Sequence, residues 1–150
     1  SNSILHQFGG LHKLWDTPAS QIAWQLDDSE NQLLPKMQTD IMLSQGNNIL
    51  IIDAKYYSHM TQQQYGTNTL HSNNLYQIFT YVKNKIFELK DCEHTVSGML
   101  LYAQTDENVI PNNTYQMSGN QISVRALNLN QDFSGIAHTL DDIIQNSFNN

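Results

Sequence analysis

Residues 37–57, MQTDIMLSQGNNILIIDAKYY, constrain the fold more than any other part of the chain: two apolar runs flank SQGNN, and each run is interrupted by one aspartate. Short apolar runs bounded by Gly and Asn are strand signals, and Gly-Asn between them is hairpin chemistry. A two-residue turn at Gly46-Asn47 sets Gln45 opposite Asn48 and Leu43 opposite Leu50, and the same register carried outward sets Asp40 opposite Asp53. Directly opposed residues on antiparallel strands share a face with Cβ atoms about 4.5–5.5 Å apart, and like charges there are destabilising. Alternation adds Lys55 to that face and turns Ala54 away from it. Two carboxylates so placed either raise one another's proton affinity or bind a cation, and a hard divalent ion takes carboxylate, carbonyl and water oxygens. The alternative is a pair of solvent-facing aspartates partly neutralised by Lys55. Against it, both strands are too apolar on both faces for a sheet with one wet side.

The remaining pattern predicts an α/β chain. IAWQLDD, residues 22–28, reads as a strand that joins the two above in an antiparallel meander, with the meander carrying the carboxylates. Residues 58–74 are polar without periodicity and predict a long loop. Leu75, Ile78, Phe79, Val82, Ile86 and Leu89 form the stripe of an amphipathic helix, with Ser72, Asn73 or Asn74 to cap it. TVSGMLLYAQT, residues 95–105, is short and apolar enough for a buried strand, and residues 114–129 predict a hairpin turning at Gly119-Asn120. SGIAHTLDDIIQNSF closes the chain as a helix with Ile136, Leu140, Ile143, Ile144 and Phe148 inward. A weakly signalled helix covers 4–14. The expected order is β-β-β-α-β-β-β-α.

Length favours a single domain over residues 1–150. The opening Ser1-Asn2 resembles a tag remnant, so the domain is expected to be cut from a longer protein. The longest apolar run, ILII at 49–52, cannot span a bilayer, and no signal peptide opens the chain, so the expectation is a soluble, cytoplasmic protein without a membrane role. One cysteine, Cys92, excludes a disulfide framework and a cysteine-based zinc cluster. A net charge of −7 argues against tight, free-standing, non-specific nucleic-acid binding, which needs clustered cations. No pair among His6, His12, His59, His71, His94 and His138 has the i, i+4 spacing of a helical zinc site. Trp15 and Trp24 read as packing residues, and neither a P-loop nor a G-x-S-x-G element occurs.

Thr39-Asp40, then Asp53-Ala54-Lys55 after the hairpin, resembles the PD-(D/E)xK nuclease signature, with threonine where that superfamily often has proline. QIFTY, residues 77–81, is similar to the QxxxY element of its RecB-like branch. The fuller stretch LLPKMQTDIML…NILIIDAKYY…NNLYQIFTYVKN resembles the McrC-type subunit of 5-methylcytosine-specific restriction systems. The resemblance implies a restriction-endonuclease-like core, a mixed central sheet flanked by helices, and Mg2+-dependent cleavage of DNA phosphodiesters, with Mn2+ as a substitute. It implies metal ligation by Asp40, Asp53 and the Ala54 carbonyl, water activation by Lys55, and a steadying role for Gln77 and Tyr81. Lys85 continues the same helix flank, either as a phosphate contact or, as is commoner for such a lysine, simply solvated. It also implies an NTPase partner subunit that reads the modified cytosine. Such nucleases commonly draw another acidic ligand from a helix before the first strand, where residues 1–21 offer only Asp16. The competing reading is a catalytically degenerate nuclease-fold module that serves complex assembly.

Overall fold

Strands that are apolar on both faces must be covered on both, and the described residues supply one helix for each side of the sheet. In the computed structural model the described residues are 20–56, 61–64, 67–70, 72–104 and 112–149. They form strands β1 (Ser20–Ile22), β2 (Met37–Thr39), β3 (Ile41–Gln45), β4 (Asn48–Tyr56), β5 (Thr61–Gln64) and β6 (Thr67–Leu70), then helix α1 (Ser72–Glu88). Strands β7 (Thr95–Gln104), β8 (Asn113–Met117) and β9 (Asn120–Asn128) follow, and helix α2 (Phe133–Phe148) completes the set.

The central sheet has five strands in the order β3-β4-β7-β9-β8. Its edges are antiparallel hairpins, while β4, β7 and β9 run parallel in its middle. Parallel pairing of β4 with β7 needs a long crossover, and α1 lies within it. The alternation of each strand then divides the core. Leu50, Ile52 and Ala54 of β4, with Met99 and Leu101 of β7, pack under Ile136, Leu140 and Ile144 of α2. Ile51, Leu100 and Tyr102 pack on the other side with Ile78, Tyr81 and Val82 of α1. Gly98 allows that closeness: a Cβ there would stand 2.8 Å from both Ile78 Cγ1 and Val82 Cγ2. The expected mixed α/β sheet flanked by helices is observed, and it is compatible with a restriction-endonuclease-like core.

Several boundaries differ from expectation. The three-stranded meander breaks at Asp40, so β1 and β2 pair with each other as a separate two-stranded sheet. Of the strand expected at 22–28, only Ile22 is in β1. The chain leaves the ladder there, tied down by Trp24 Nε1 donating to the Pro35 carbonyl at 2.7 Å and by Gln25 N–H donating to Asn84 Oδ1 at 2.9 Å. The polar stretch expected to be a loop contains the β5-β6 hairpin, whose Thr and Gln residues pair without an apolar alternation to betray them. Ser72, Asn73 and Asn74 lie inside the first turn of α1 instead of capping it. The second hairpin turns at Ser118-Gly119, one residue early. Both have positive φ, 52° and 85°, as a type I′ turn requires. The first turn falls at Gly46-Asn47 as expected, with Gly46 at φ 60°. The weak helix at 4–14 lies outside the described residues.

Candidate functional site

The break at Asp40 organises this region. β3 pairs with β4 from Gln45↔Asn48 to Ile41↔Ile52 in the expected register, and there the ladder stops. Beyond it, side chains take over from backbone. The Thr39 hydroxyl donates to the Ile52 carbonyl at 2.8 Å, and the Ala54 N–H donates to Asp40 Oδ2 at 2.7 Å. Asp40 therefore does not stand opposite Asp53 as a ladder partner. Its carboxylate reaches along the vacated edge of β4 while the backbone bends away into β2. A proline at position 39 has no side-chain donor to offer Ile52, whereas threonine does. Because a strand residue turns its N–H and C=O to the same side, the Ala54 carbonyl faces this same edge.

Asp53 alternates to the face covered by α1 and is 2% exposed, beside Leu100 of β7. Its Oδ2 lies 2.9 Å from Lys55 Nζ, an ion-pair approach without the alignment of a hydrogen bond, so this buried oxygen has no hydrogen-bond partner among the described residues. Burial pushes the Asp53 carboxyl up from 3.8 to about 6. The Lys55 ammonium opposes the rise, and the Asp40 carboxylate adds to it.

From Lys55 a hydrogen-bonded chain crosses to the helix. Lys55 Nζ donates to Gln77 Oε1 at 3.0 Å, Gln77 Nε2 donates to the Tyr81 hydroxyl at 2.7 Å, and that hydroxyl donates to the Gln38 carbonyl at 3.4 Å. The four-residue spacing of Gln77 and Tyr81 places both on one side of α1, over β4 and β2. Asp40, Asp53, Ala54, Lys55, Gln77 and Tyr81 are thus brought together.

Two buried carboxylates, Asp40 at the break between β2 and β3 and Asp53 on β4, an adjacent backbone carbonyl and a nearby ammonium suit a hard, oxygen-preferring cation. Mg2+ is commonly held by one or two carboxylates while keeping several waters, so the donor set fits that ion. Among the described residues no group of three or more His, Cys, Asp or Glu is close enough to hold a metal, so an ion here would draw on the Ala54 carbonyl and waters beside the two carboxylates.

Other candidates separate from this centre. The Lys85 ammonium is 2.7 Å from Glu88 Oε2, an ion pair within α1. His94 and His138 are exposed, and His138 lies 3.4 Å from Asp142 on α2. Cys92 is exposed. Trp24 is half-buried against the α1-side core. Asp16, Trp15, His6, His12, His59 and His71 lie outside the described residues. Sequence reasoning missed Asn74 and Tyr102. Tyr102 pairs with Lys55 across β4 and β7 and is fully buried, and its hydroxyl accepts from Asn74 Nδ2 at 3.0 Å. That bond fastens the first turn of α1 to the sheet beside Lys55. The signal was available: a tyrosine within an aliphatic strand needs a polar partner once buried.

A family model described as "McrBC 5-methylcytosine restriction system component" matches residues 11–103. The chain is 34% identical over 132 residues to the type IV methyl-directed restriction enzyme EcoKMcrBC of Escherichia coli strain K12. That alignment covers 85% of this chain and 36% of the relative, so the chain spans about a third of the relative's length.

Proposed function

This chain belongs to the McrBC 5-methylcytosine restriction system component family, and from that membership we propose that it is the metal-dependent cleavage module of such a system, hydrolysing phosphodiester bonds in DNA. The observation that carries the reading is the buried Asp53 carboxylate, poised between Asp40 and Lys55, with one oxygen lacking a hydrogen bond. Asp40, Asp53 and the Ala54 carbonyl would hold Mg2+ or Mn2+. Such an ion, when bound, supplies positive charge that polarises the scissile phosphate and eases deprotonation of water.

The chain's own residues do the rest. Lys55 has three N–H donors, and its contacts to Asp53 and Gln77 fix the ammonium while leaving capacity to hold a water or a phosphate oxygen. Gln77, itself held by Tyr81, keeps that ammonium from swinging out to solvent. Tyr81 anchors the arrangement to the backbone of β2 through Gln38. The resulting preorganisation, fixed before substrate arrives, is what stabilises charge as it develops.

An acidic chain that must act on DNA needs help to reach it, so the module would work beside an NTPase partner subunit, with modified cytosine read elsewhere in the complex. Its setting would be the cytoplasm. Among the described residues no helix is long and apolar enough to cross a membrane. The two-carboxylate donor set favours one second reading, a nuclease fold that has lost catalysis and serves assembly.

Calorimetric titration with Mn2+ separates the two. Binding by the wild-type chain that disappears in Asp53→Asn supports the cleavage module. Absence of binding by the wild-type chain at millimolar metal refutes it in favour of the assembly role.

A further inference from the structure

Next to this centre an open groove of about 430 Å³ runs between the chain entering β2 and the first turns of α1. That volume is within the range of small-molecule sites. Trp24, Lys36 and Met37 line one side, and Tyr76, Gln77 and Tyr81 the other. Gln77 and Tyr81 also belong to the network that ends on Lys55, so the groove and the centre are continuous. Met37 and Tyr81 are buried and make its floor, whereas Tyr76 is 68% exposed at its rim.

The wall opposite α1 is held in place. The Trp24 indole is pinned to the Pro35 carbonyl, and the backbone behind it is pinned to Asn84 of α1. An exposed tyrosine therefore lines the groove across from an exposed lysine, in a chain whose net charge is negative. Lys36 has no ion pair among the described residues. Aromatic surface together with a cation is what a nucleotide takes: every base offers a π face, and its phosphate needs a positive charge.

We propose that this groove receives an unpaired nucleobase from the strand whose phosphodiester lies at Asp40, Asp53 and Lys55, with Tyr76 stacking on the base and Lys36 meeting the adjoining phosphate. The proposal rests on the cleavage reading above and adds to it a preference for unpaired nucleotides. A base stacked within a duplex has both faces covered and must leave the stack to enter.

The test uses fluorescence anisotropy at low salt with chelator present, so that affinity is read apart from metal. Two labelled single strands of equal phosphate count are compared, one an oligothymidylate and one abasic. The wild-type chain should bind the base-bearing strand about tenfold or more tightly than the abasic one, whereas Tyr76→Ala should bind the two alike. Tyr76→Phe keeps the ring and should keep most of the preference. Equal binding of both strands by the wild-type chain, or no binding of either, overturns the proposal, as does a base preference that survives Tyr76→Ala. The Mn2+ titration distinguishes this failure from that of the parent reading. Metal binding through Asp53 without a Tyr76-dependent preference discards the groove alone. A Tyr76-dependent preference in a chain that binds no Mn2+ discards the cleavage chemistry and keeps the groove.

Discussion

Asp53→Asn should change the pH dependence of stability in a direction set by burial. The Asp53 carboxyl is raised from 3.8 to about 6, first because burial penalises the charged form, then because Asp40 is close, with Lys55 offsetting only part of the cost. A folded state whose carboxyl holds its proton more tightly than the unfolded chain gains stability when the group is protonated. That gain is complete below pH 3.8 and is lost as pH rises through about 6. At 1.36 kcal/mol per pH unit, the ionised carboxylate costs the metal-free fold about 3 kcal/mol by pH 8. For a chain of this size that is roughly 6–12 °C in melting temperature. Asparagine does not titrate, so the stability of the variant relative to wild type should rise by about that amount between pH 4 and pH 8. Urea unfolding in chelator at closely spaced pH values reads the difference directly. Parallel curves for the two proteins would refute the claim that the carboxylate is buried at a cost. Repeating the series with Mn2+ at pH 8 should stabilise the wild-type chain and leave Asp53→Asn unmoved, since only the former offers the ion both carboxylates.

Gly98→Ala should cost about 1–3 kcal/mol, because the new methyl meets Ile78 and Val82 at 2.8 Å and pushes α1 from the sheet; an unchanged urea midpoint would show that α1 does not rest there. Thr39→Val removes the hydroxyl that serves the Ile52 carbonyl and should lower stability by about 1 kcal/mol, with a weaker Mn2+ affinity as Asp40 loosens. If calorimetry on that variant returns wild-type affinity, the threonine does not position Asp40. Lys55→Met should slow cleavage by a partner-assembled complex about 100-fold or more while Mn2+ still binds, and cleavage at the wild-type rate would remove Lys55 from the chemistry.

Much of this protein follows from local sequence. The Gly46-Asn47 turn set the register of β3 against β4, because a two-residue loop leaves one way to pair the flanking strands. The stripes at 75–89 and 136–148 set which faces of the two helices turn inward, and the D-x-K triplet followed by QxxxY marks the residues that converge around Lys55. Short polar strands escaped, since the Thr and Gln of β5 and β6 carry no apolar period. Tertiary structure alone decided the rest. The ladder had to stop at Ile41 before Asp40 could bond to Ala54, and beyond that stop β2 pairs with β1 instead of β4. Asp53 becomes a costly, buried carboxylate only when β7 lies beside it and α1 above it, elements that begin 19 or more residues further along the chain. Side-chain direction is a property of neighbouring backbone and can be read locally, whereas desolvation is imposed by whatever folds over a residue and is fixed only when the whole chain has packed.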